Sequence, residues 1–264
     1  MDLNLKGKTA LITGSTSGIG FTTAKILLQE GMTVYINGRN QSSVENAVSQ
    51  LKDGVEGAEI FGIIADFSHS NQVKNLLDRL SEIDVLINNV GIYSSKSFFE
   101  TSIETWQDQF QVNIISGVAL SKYYLKGMLK RNWGRILFIS SECAYLVPPD
   151  MISYSATKAA LHAVSRGLAN ITKGTEVTSN IVVPGSTLTE GARAFLTDKA
   201  AAKNITLEEV EKDFFNNDRT SSLLKRFAST DEVATMIAYL SSPLSSATNG
   251  AVIKVDGGSS GGIL

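Results

Sequence analysis

Cysteine and histidine are scarce in this sequence. The 264 residues include one cysteine, Cys143, and two histidines, His69 and His162. A single cysteine cannot form a disulfide within the chain, and so few cysteine and histidine side chains argue against a zinc site built from them. We therefore expect no metal site.

Long apolar runs and clusters of one charge are also missing. No 18 consecutive residues are apolar, so no membrane-crossing helix is predicted. The segment Met1–Lys8 contains Asp2, Lys6 and Lys8 and lacks the apolar centre of a signal peptide. The formal net charge is −2, which disfavours a non-specific nucleic-acid surface. We expect a cytoplasmic protein that acts on small molecules, not on nucleic acid or membranes.

Short runs rich in valine and isoleucine alternate with longer segments of helical spacing, a pattern typical of buried parallel strands joined by helices. The predicted strands are Thr9–Thr13, Val34–Asn37, Ile60–Ala65, Val85–Ile87, Ile136–Ile139, Ile181–Val183 and Val252–Val255. The clearest predicted helices are Ile19–Gln29, Asn71–Leu80, Ile103–Leu129, Tyr154–Thr172 and Asp231–Leu240. The alternation predicts one α/β domain over residues 1–264, a doubly wound parallel sheet with helices on both faces.

One long segment, residues 186–226, interrupts this alternation after Pro184-Gly185. It contains one predicted helix, opened by Thr206 and carrying Glu208 and Glu209 in its first turn. Insertions beyond strand ends are where lids and substrate pockets are built. We therefore expect residues 186–226 to form a substrate lid.

A glycine-containing turn follows the first predicted strand. It reads Thr13-Gly14-Ser15-Thr16-Ser17-Gly18-Ile19-Gly20 and leads into the first helix. Glycines let the backbone approach a pyrophosphate, and the helix N-terminus offers unpaired N–H groups. The spacing differs from the general dinucleotide motif, G-x-G-x-x-G, and a tight turn without a ligand is the alternative. Its place in the first strand–helix turn favours a phosphate cradle.

Further motifs, in the same order along the chain, resemble those of the short-chain dehydrogenase/reductase family. They are Asp66, Asn88-Asn89-Val90-Gly91, Asn113, Ser141, Tyr154-Ser155-Ala156-Thr157-Lys158, and Pro184-Gly185 with Thr187 and Thr189. The family usually has alanine where this chain has Val90. The resemblance extends from Gly7 to Gly258 and implies a Rossmann-like fold and a nicotinamide-dependent oxidoreductase.

The resemblance also implies which residues bind the cofactor. Asp66 would hold the adenine amino group, Asn88 and Gly91 would line the adenosine ribose, and the backbone beside Thr187 would meet the carboxamide. The expected cofactor-binding residues are Gly14, Ser15, Ser17, Gly18, Ile19, Gly20, Arg39, Asp66, Phe67, Asn88, Gly91, Tyr154, Lys158, Pro184, Gly185, Thr187 and Thr189.

Arg39 favours NADP(H) as this cofactor. NAD-selective sites place a carboxylate at the end of the second strand, but here Gly38 stands there and Arg39 follows. A guanidinium can bind a 2′-phosphate, and Ser15 and Asn37 could add neutral donors. Ser17 occupies the family's other basic position, so a solvated Arg39 that tolerates NAD(H) is the alternative.

The expected catalytic residues are Asn113, Ser141, Tyr154 and Lys158. Tyr154 and Lys158 are four residues apart and share a helix face. Tyr154 would exchange a proton with a carbonyl or alcohol oxygen that Ser141 also contacts, and Lys158 would lower the tyrosine pKa and hold the ribose. By resemblance, Asn113 anchors a water that leads to Lys158. The alternative function is a dinucleotide sensor without catalysis.

Apolar residues suggest the substrate surface and the assembly. Pocket candidates are Tyr93, Tyr145, Leu146, Val147, Phe195, Phe214 and Phe215, which favour a carbonyl or secondary alcohol on an apolar body. Extra apolar surface on the long helices is expected at Trp106, Phe110, Val118, Leu161 and Leu168. With the family resemblance, this predicts a homotetramer or homodimer.

Overall fold

Seven parallel strands form the centre of the computed structural model, which describes residues 2–262. They are β1 (Thr9–Ile12), β2 (Thr33–Gly38), β3 (Glu59–Ile64), β4 (Val85–Asn88), β5 (Gly134–Ile139), β6 (Val177–Pro184) and β7 (Val252–Val255). Their order across the sheet is β3-β2-β1-β4-β5-β6-β7. From β1 the chain builds the sheet outward to β3 on one side and then, from β4, outward to β7 on the other side. The predicted single-domain, Rossmann-like, doubly wound fold is confirmed.

Ten α-helices lie among the described residues. They are α1 (Gly18–Gln29), α2 (Gln41–Gly54), α3 (Ser70–Arg79), α4 (Ile103–Phe110), α5 (Ser116–Arg131), α6 (Cys143–Leu146), α7 (Ile152–Ile171), α8 (Glu190–Lys203), α9 (Leu207–Asp213) and α10 (Thr230–Ser241). None of them is long and apolar enough to cross a membrane.

Side-chain alternation along the strands divides the core into two apolar clusters. In β1, Ile12 packs into one cluster and Leu11 into the other, because successive side chains of a strand point to opposite faces. The first cluster includes residues of α1, α2 and α10, such as Leu27 and Ile237. The second includes residues of α3, α5 and α7, such as Leu161. Helices therefore cover both faces of the sheet.

The helix predicted over Ile103–Leu129 is interrupted. A π-helical turn, Gln111–Ile115, separates α4 from α5 and carries the buried Asn113. Such turns often occur at functional sites, because the extra residue in the turn redirects a side chain.

Segment 186–226 contains two α-helices, of which only the second was predicted, and a π-helical turn, Phe214–Asp218, that follows it. Thr206 caps α9 in a capping box with Glu209, as the sequence indicates. The unpredicted α8 is capped by Thr189, whose side chain accepts a hydrogen bond from Ala192 N. The two helices share a small apolar cluster of Leu196, Ala200 and Val210, separate from the two clusters on the sheet.

Candidate active site

A cavity of about 870 Å³ opens at the carboxyl ends of the strands, where open α/β sheets bind ligands. It extends from Arg39 beyond β2 to Tyr154 on α7. The predicted site residues that line it are Gly14, Ser17, Gly18, Ile19, Arg39, Asp66, Phe67, Gly91, Ser141, Tyr154, Lys158, Pro184, Gly185, Thr187 and Thr189. The fold therefore brings most of the predicted residues to one cavity.

The turn after β1 requires glycine, because a side chain at its glycine positions would strain the backbone or clash with neighbouring residues. Gly14 and Gly18 have φ of +60° and +59°, in the left-handed region that favours glycine. A Cβ on Gly14 would lie 3.0 Å from Val90 Cα. Gly20 does not line the cavity; a Cβ there would lie 2.7 Å from Asn89 Nδ2, so this glycine lets α1 pack closely on the loop after β4.

Ser15 and Asn37, the predicted neutral donors to the cofactor, both make internal hydrogen bonds, and Asn37 also lines the cavity. The buried Ser15 hydroxyl donates to Ile12 O at 2.7 Å and accepts from Asn37 N at 3.0 Å. The Asn37 side chain donates to Ala65 O at 3.1 Å and accepts from Gly14 N at 3.1 Å. These hydrogen bonds hold the turn against β2, and a role of either residue as a donor to the cofactor stays a prediction.

Asn88 does not line the cavity, and its predicted contact with the adenosine ribose stays a prediction. Its buried side chain turns toward α5, where Nδ2 lies 3.5 Å from Ser121 Oγ. Asn89 lines the cavity instead, and its Nδ2 donates to Thr13 O at 2.9 Å and to Gly14 O at 2.8 Å. The repeated Asn in the sequence did not show which of the two faces the site.

Charged side chains stand at the end of the cavity near β2. The Asp66 carboxylate accepts from the Ser68 backbone N–H at 2.9 Å and from the Ser68 hydroxyl at 2.7 Å. Burial acts to raise the pKa of Asp66, but these hydrogen bonds, with the nearby His69 and Arg39, lower it overall. The exposed Arg39 thus faces a cavity wall that already holds a charged carboxylate.

Ser141, Tyr154 and Lys158 meet at the opposite end of the cavity. Ser141 Oγ accepts from Cys143 N at 3.2 Å, which leaves its O–H free to donate. Lys158 Nζ donates to Ile139 O at 2.8 Å and lies 5.5 Å from the centre of the Tyr154 ring. Hydrogen bonds thus hold Ser141 and Lys158 in place, and Tyr154 lines the same cavity beside them.

Burial dominates the protonation of this trio. It lowers the pKa of Lys158 to about 8, and it raises the pKa of Tyr154, with Ser141 acting weakly in the opposite direction. Burial therefore outweighs the effects that lower the pKa of Tyr154, because desolvation disfavours the tyrosinate; the expected lowering by Lys158 stays a prediction. Tyr154 keeps its proton at neutral pH.

Asn113 links the loop after β4 to α7. Its Oδ1 accepts from Ile92 N at 2.8 Å, and its Nδ2 donates to Ile92 O and to Thr157 Oγ1, both at 2.9 Å. A Cβ on Gly91 would lie 3.2 Å from Lys158 Nζ and 3.6 Å from Asn113 Oδ1. Gly91, which has no side chain, therefore leaves room for both the Lys158 ammonium and the Asn113 amide. The water that Asn113 is expected to anchor stays a prediction.

Glu142 is a buried carboxylate that the sequence reasoning missed. It directly follows Ser141, and its Oε1 accepts from Ser186 Oγ at 2.8 Å and from Arg219 Nε at 3.0 Å. Its backbone N–H donates to Pro184 O at 2.9 Å. The only sign of this residue in the sequence is a charged side chain just after a buried strand. That sign does not reveal that Ser186 and Arg219 are its partners.

Of the predicted pocket aromatics, Tyr93 lines the cavity, with its ring centre 6.0 Å from that of Tyr154. Phe214 and Phe215 were wrong as lining residues, because both rings pack on Phe227 with centres 5.1 Å away. The other candidates that do not line it are Tyr145, Leu146, Val147 and Phe195. Within residues 2–262, no group of three or more His, Cys, Asp or Glu side chains could hold a metal ion.

Comparisons with known proteins cover nearly the whole chain. A family model described as short chain dehydrogenase matches residues 8–200. The uncharacterized oxidoreductase YvaG of Bacillus subtilis is 42% identical over 258 residues, 98% of each chain. The 3-oxoacyl-[acyl-carrier-protein] reductase FabG of Aquifex aeolicus is 32% identical over 263 residues, 98% of this chain and 99% of that one.

Solved structures give the same likeness. L-sorbose reductase from Gluconobacter frateurii, solved in complex with NADPH and L-sorbose, superposes with a TM-score of 0.92 at 26% identity, over 100% of both chains. The backbone that positions the cavity is thus shared with a reductase that binds NADPH.

Proposed function

The chain belongs to the short-chain dehydrogenase family, and from that premise we propose that it transfers a hydride between NADP(H) and a carbonyl or secondary-alcohol substrate. The observation that carries the proposal is the convergence of Ser141, Tyr154 and Lys158 on the cavity that also contains the glycine turn. Tyr154 can thus exchange a proton with a substrate at one end of the cavity, while the rest of the same cavity accommodates a dinucleotide.

The residues along the cavity fit a nicotinamide dinucleotide, which supplies or accepts the hydride when bound. Gly14 and Gly18 give the turn its left-handed backbone conformation, and the N–H groups at the start of α1 would bind a pyrophosphate. Asp66 would accept from the adenine amino group, Lys158 would hold the nicotinamide ribose, and the backbone at Thr187 would contact the carboxamide. The turn therefore acts as the phosphate cradle.

Packing around Gly38 supports the choice of NADP(H). A Cβ on Gly38 would lie 2.6 Å from Thr16 Cγ2 and 2.9 Å from Val44 Cγ2. The carboxylate that binds a ribose 2′-hydroxyl therefore has no room at this position. The guanidinium of Arg39, one residue further, is free to meet a 2′-phosphate.

Tyr154 is the proposed acid in the reductive direction. As hydride reaches the carbonyl carbon, negative charge develops on the oxygen, and the Tyr154 hydroxyl donates its proton there. The Ser141 O–H donates a hydrogen bond to the same oxygen, since its Oγ already accepts from Cys143 N. The raised pKa of Tyr154 keeps this proton in place until the substrate oxygen becomes basic. Alcohol oxidation follows the same path in reverse.

A substrate panel tests the proposal. Simple ketones, ketoses and a 3-oxoacyl thioester are offered with NADPH, and secondary alcohols with NADP⁺, while the absorbance of the reduced nicotinamide is followed. We expect turnover with at least one carbonyl or alcohol class. A protein that binds the dinucleotide but turns over no member of the panel would instead support a sensor without catalysis.

A further inference from the structure

A side chain of the lid segment reaches the start of α1. Glu190 is the first residue of α8, and its Oε2 accepts a hydrogen bond from the Gly18 backbone N–H at 2.8 Å. Gly18 is the first residue of α1. The contact joins residues 172 positions apart and places a carboxylate on the phosphate cradle of the proposed function.

The N-termini of two helices meet at this carboxylate. The N–H groups in the first turn of a helix carry partial positive charge, so a carboxylate or a phosphate is favoured there. Glu190 lies in the first turn of α8 and also contacts the first residue of α1. Thr189, which caps α8, packs on the same glycine, with Cγ2 3.2 Å from the position of a Cβ on Gly18.

We propose that Glu190 competes with the cofactor pyrophosphate for the Gly18 N–H and thereby sets the affinity for the dinucleotide. The inference rests on the proposed function, because the competing ligand is the dinucleotide itself. Pyrophosphate and carboxylate are both negative, so they repel each other at the cradle. Binding of the cofactor therefore moves Glu190, and with it the start of α8, away from Gly18.

The fold tolerates loss of this contact. Glu190 is exposed and lines the cavity, so its carboxylate can move into solvent. The cap of α8 is the Thr189 hydroxyl, which accepts from Ala192 N at 3.2 Å, and it does not depend on Glu190. Substitutions of Glu190 should therefore change the binding of the cofactor at Gly18 and have little effect on the stability of α8.

The experiment measures the dissociation constant of NADP⁺ by calorimetry for the full-length protein with Glu190→Ala, Glu190→Gln or no change. Glu208→Gln is the matched control, since Glu208 is also an exposed acid in the first turn of a lid helix but does not line the cavity. We expect both Glu190 variants to bind about two- to fivefold more tightly, the range of a carboxylate at a helix N-terminus. The control should bind like the unchanged protein.

Hydrogen exchange without cofactor gives a second readout. The amides of residues 14–22 should exchange faster in Glu190→Ala, because Gly18 N–H loses its acceptor. Equal or weaker binding of NADP⁺ by both Glu190 variants would overturn the inference and leave the proposed function standing. Absence of NADP⁺ binding in every protein, including the unchanged one, would overturn both.

Discussion

We propose that the choice of cofactor depends on a single side chain, Arg39. Its exposed guanidinium lines the cavity, and the packing of Gly38 on Thr16 and Val44 leaves no room for a competing carboxylate. We expect Arg39→Ala to lower kcat/KM for NADPH about tenfold or more and to leave kcat/KM for NADH unchanged, since a hydrogen bond to a charged group contributes about 1.5–3 kcal/mol. Steady-state kinetics with both cofactors measure this.

Arg79→Ala is the matched control for Arg39, because Arg79 is exposed at the end of α3 and does not line the cavity. Its kinetics with NADPH should equal those of the unchanged protein. An unchanged protein that prefers NADH, or an Arg39→Ala protein with normal NADPH kinetics, would end the assignment.

The ion pair between Glu142 and Arg219 should stabilise the folded protein. The exposed fractions of the two side chains are 4% and 17%, so Arg219→Gln leaves a buried carboxylate without its cation. We expect the free energy of unfolding to fall by about 3 kcal/mol, measured by denaturant titration. In the exposed pair Arg226–Glu232, Arg226→Gln should cost less than about 1 kcal/mol. Equal losses in the two variants would contradict the buried-pair argument.

Single residues show where sequence reasoning reaches its limit. The four-residue spacing of Tyr154 and Lys158 predicts that they share a helix face, and both residues do lie on α7. Ser15 and Asn88 do not line the cavity although their neighbours Gly14 and Asn89 do, and Asn37 lines it while its side chain makes internal hydrogen bonds. Most of their hydrogen-bond partners, such as Asn37 for Ser15 and Ser121 for Asn88, are distant in the sequence, so the local sequence does not predict those contacts.

Elements with local signals were predicted best. Val- and Ile-rich runs identify the strands, and Thr206 with Glu209 identifies the start of α9. Helix α2 was missed because only Val44, Ala47 and Leu51 of its 14 residues are buried. The π-helical turn around Asn113 was missed because its bonds to the loop after β4 and to α7 are tertiary contacts.

The lid is a prediction at the scale of elements. The apolar cluster of α8 and α9 is separate from the sheet, and side-chain contacts such as Glu190–Gly18 and Arg219–Glu142 connect the segment to the site. Segments that bury little apolar surface against the main core open most readily. We expect hydrogen exchange in residues 186–226 to slow when cofactor and substrate are both bound, while exchange in α10 stays unchanged. Equal exchange in the free protein and the ternary complex would count against a lid.

The assembly is a property of the whole molecule. An apolar groove of about 350 Å³ lies between α5 and α7, and the predicted surface residues Val118 and Leu168 line it. Leu161 was wrong as a surface residue, since it is 2% exposed in the core. We propose that this face pairs with a second copy around a two-fold axis, in a homodimer or homotetramer.

Light scattering tests the assembly at micromolar concentration. We expect a dimer or tetramer for the unchanged protein and a shift toward monomer for Leu168→Glu, because a charge at the groove would be buried by pairing. Leu223→Glu is the control, since Leu223 is 83% exposed and lies outside the groove. A stable monomer of the unchanged protein would defeat the proposal.

Proton donation by Tyr154 is the central claim, and one comparison tests it most directly. The turnover rate of Tyr154→Phe is measured against that of the unchanged protein on the best substrate of the panel, with NADPH affinity measured alongside. Phenylalanine keeps the ring but removes the proton, so we expect turnover to fall about 10²- to 10⁴-fold with NADPH binding intact. A variant that keeps more than about a tenth of the activity, a loss below ~1.4 kcal/mol, would contradict the assignment of Tyr154 as the acid.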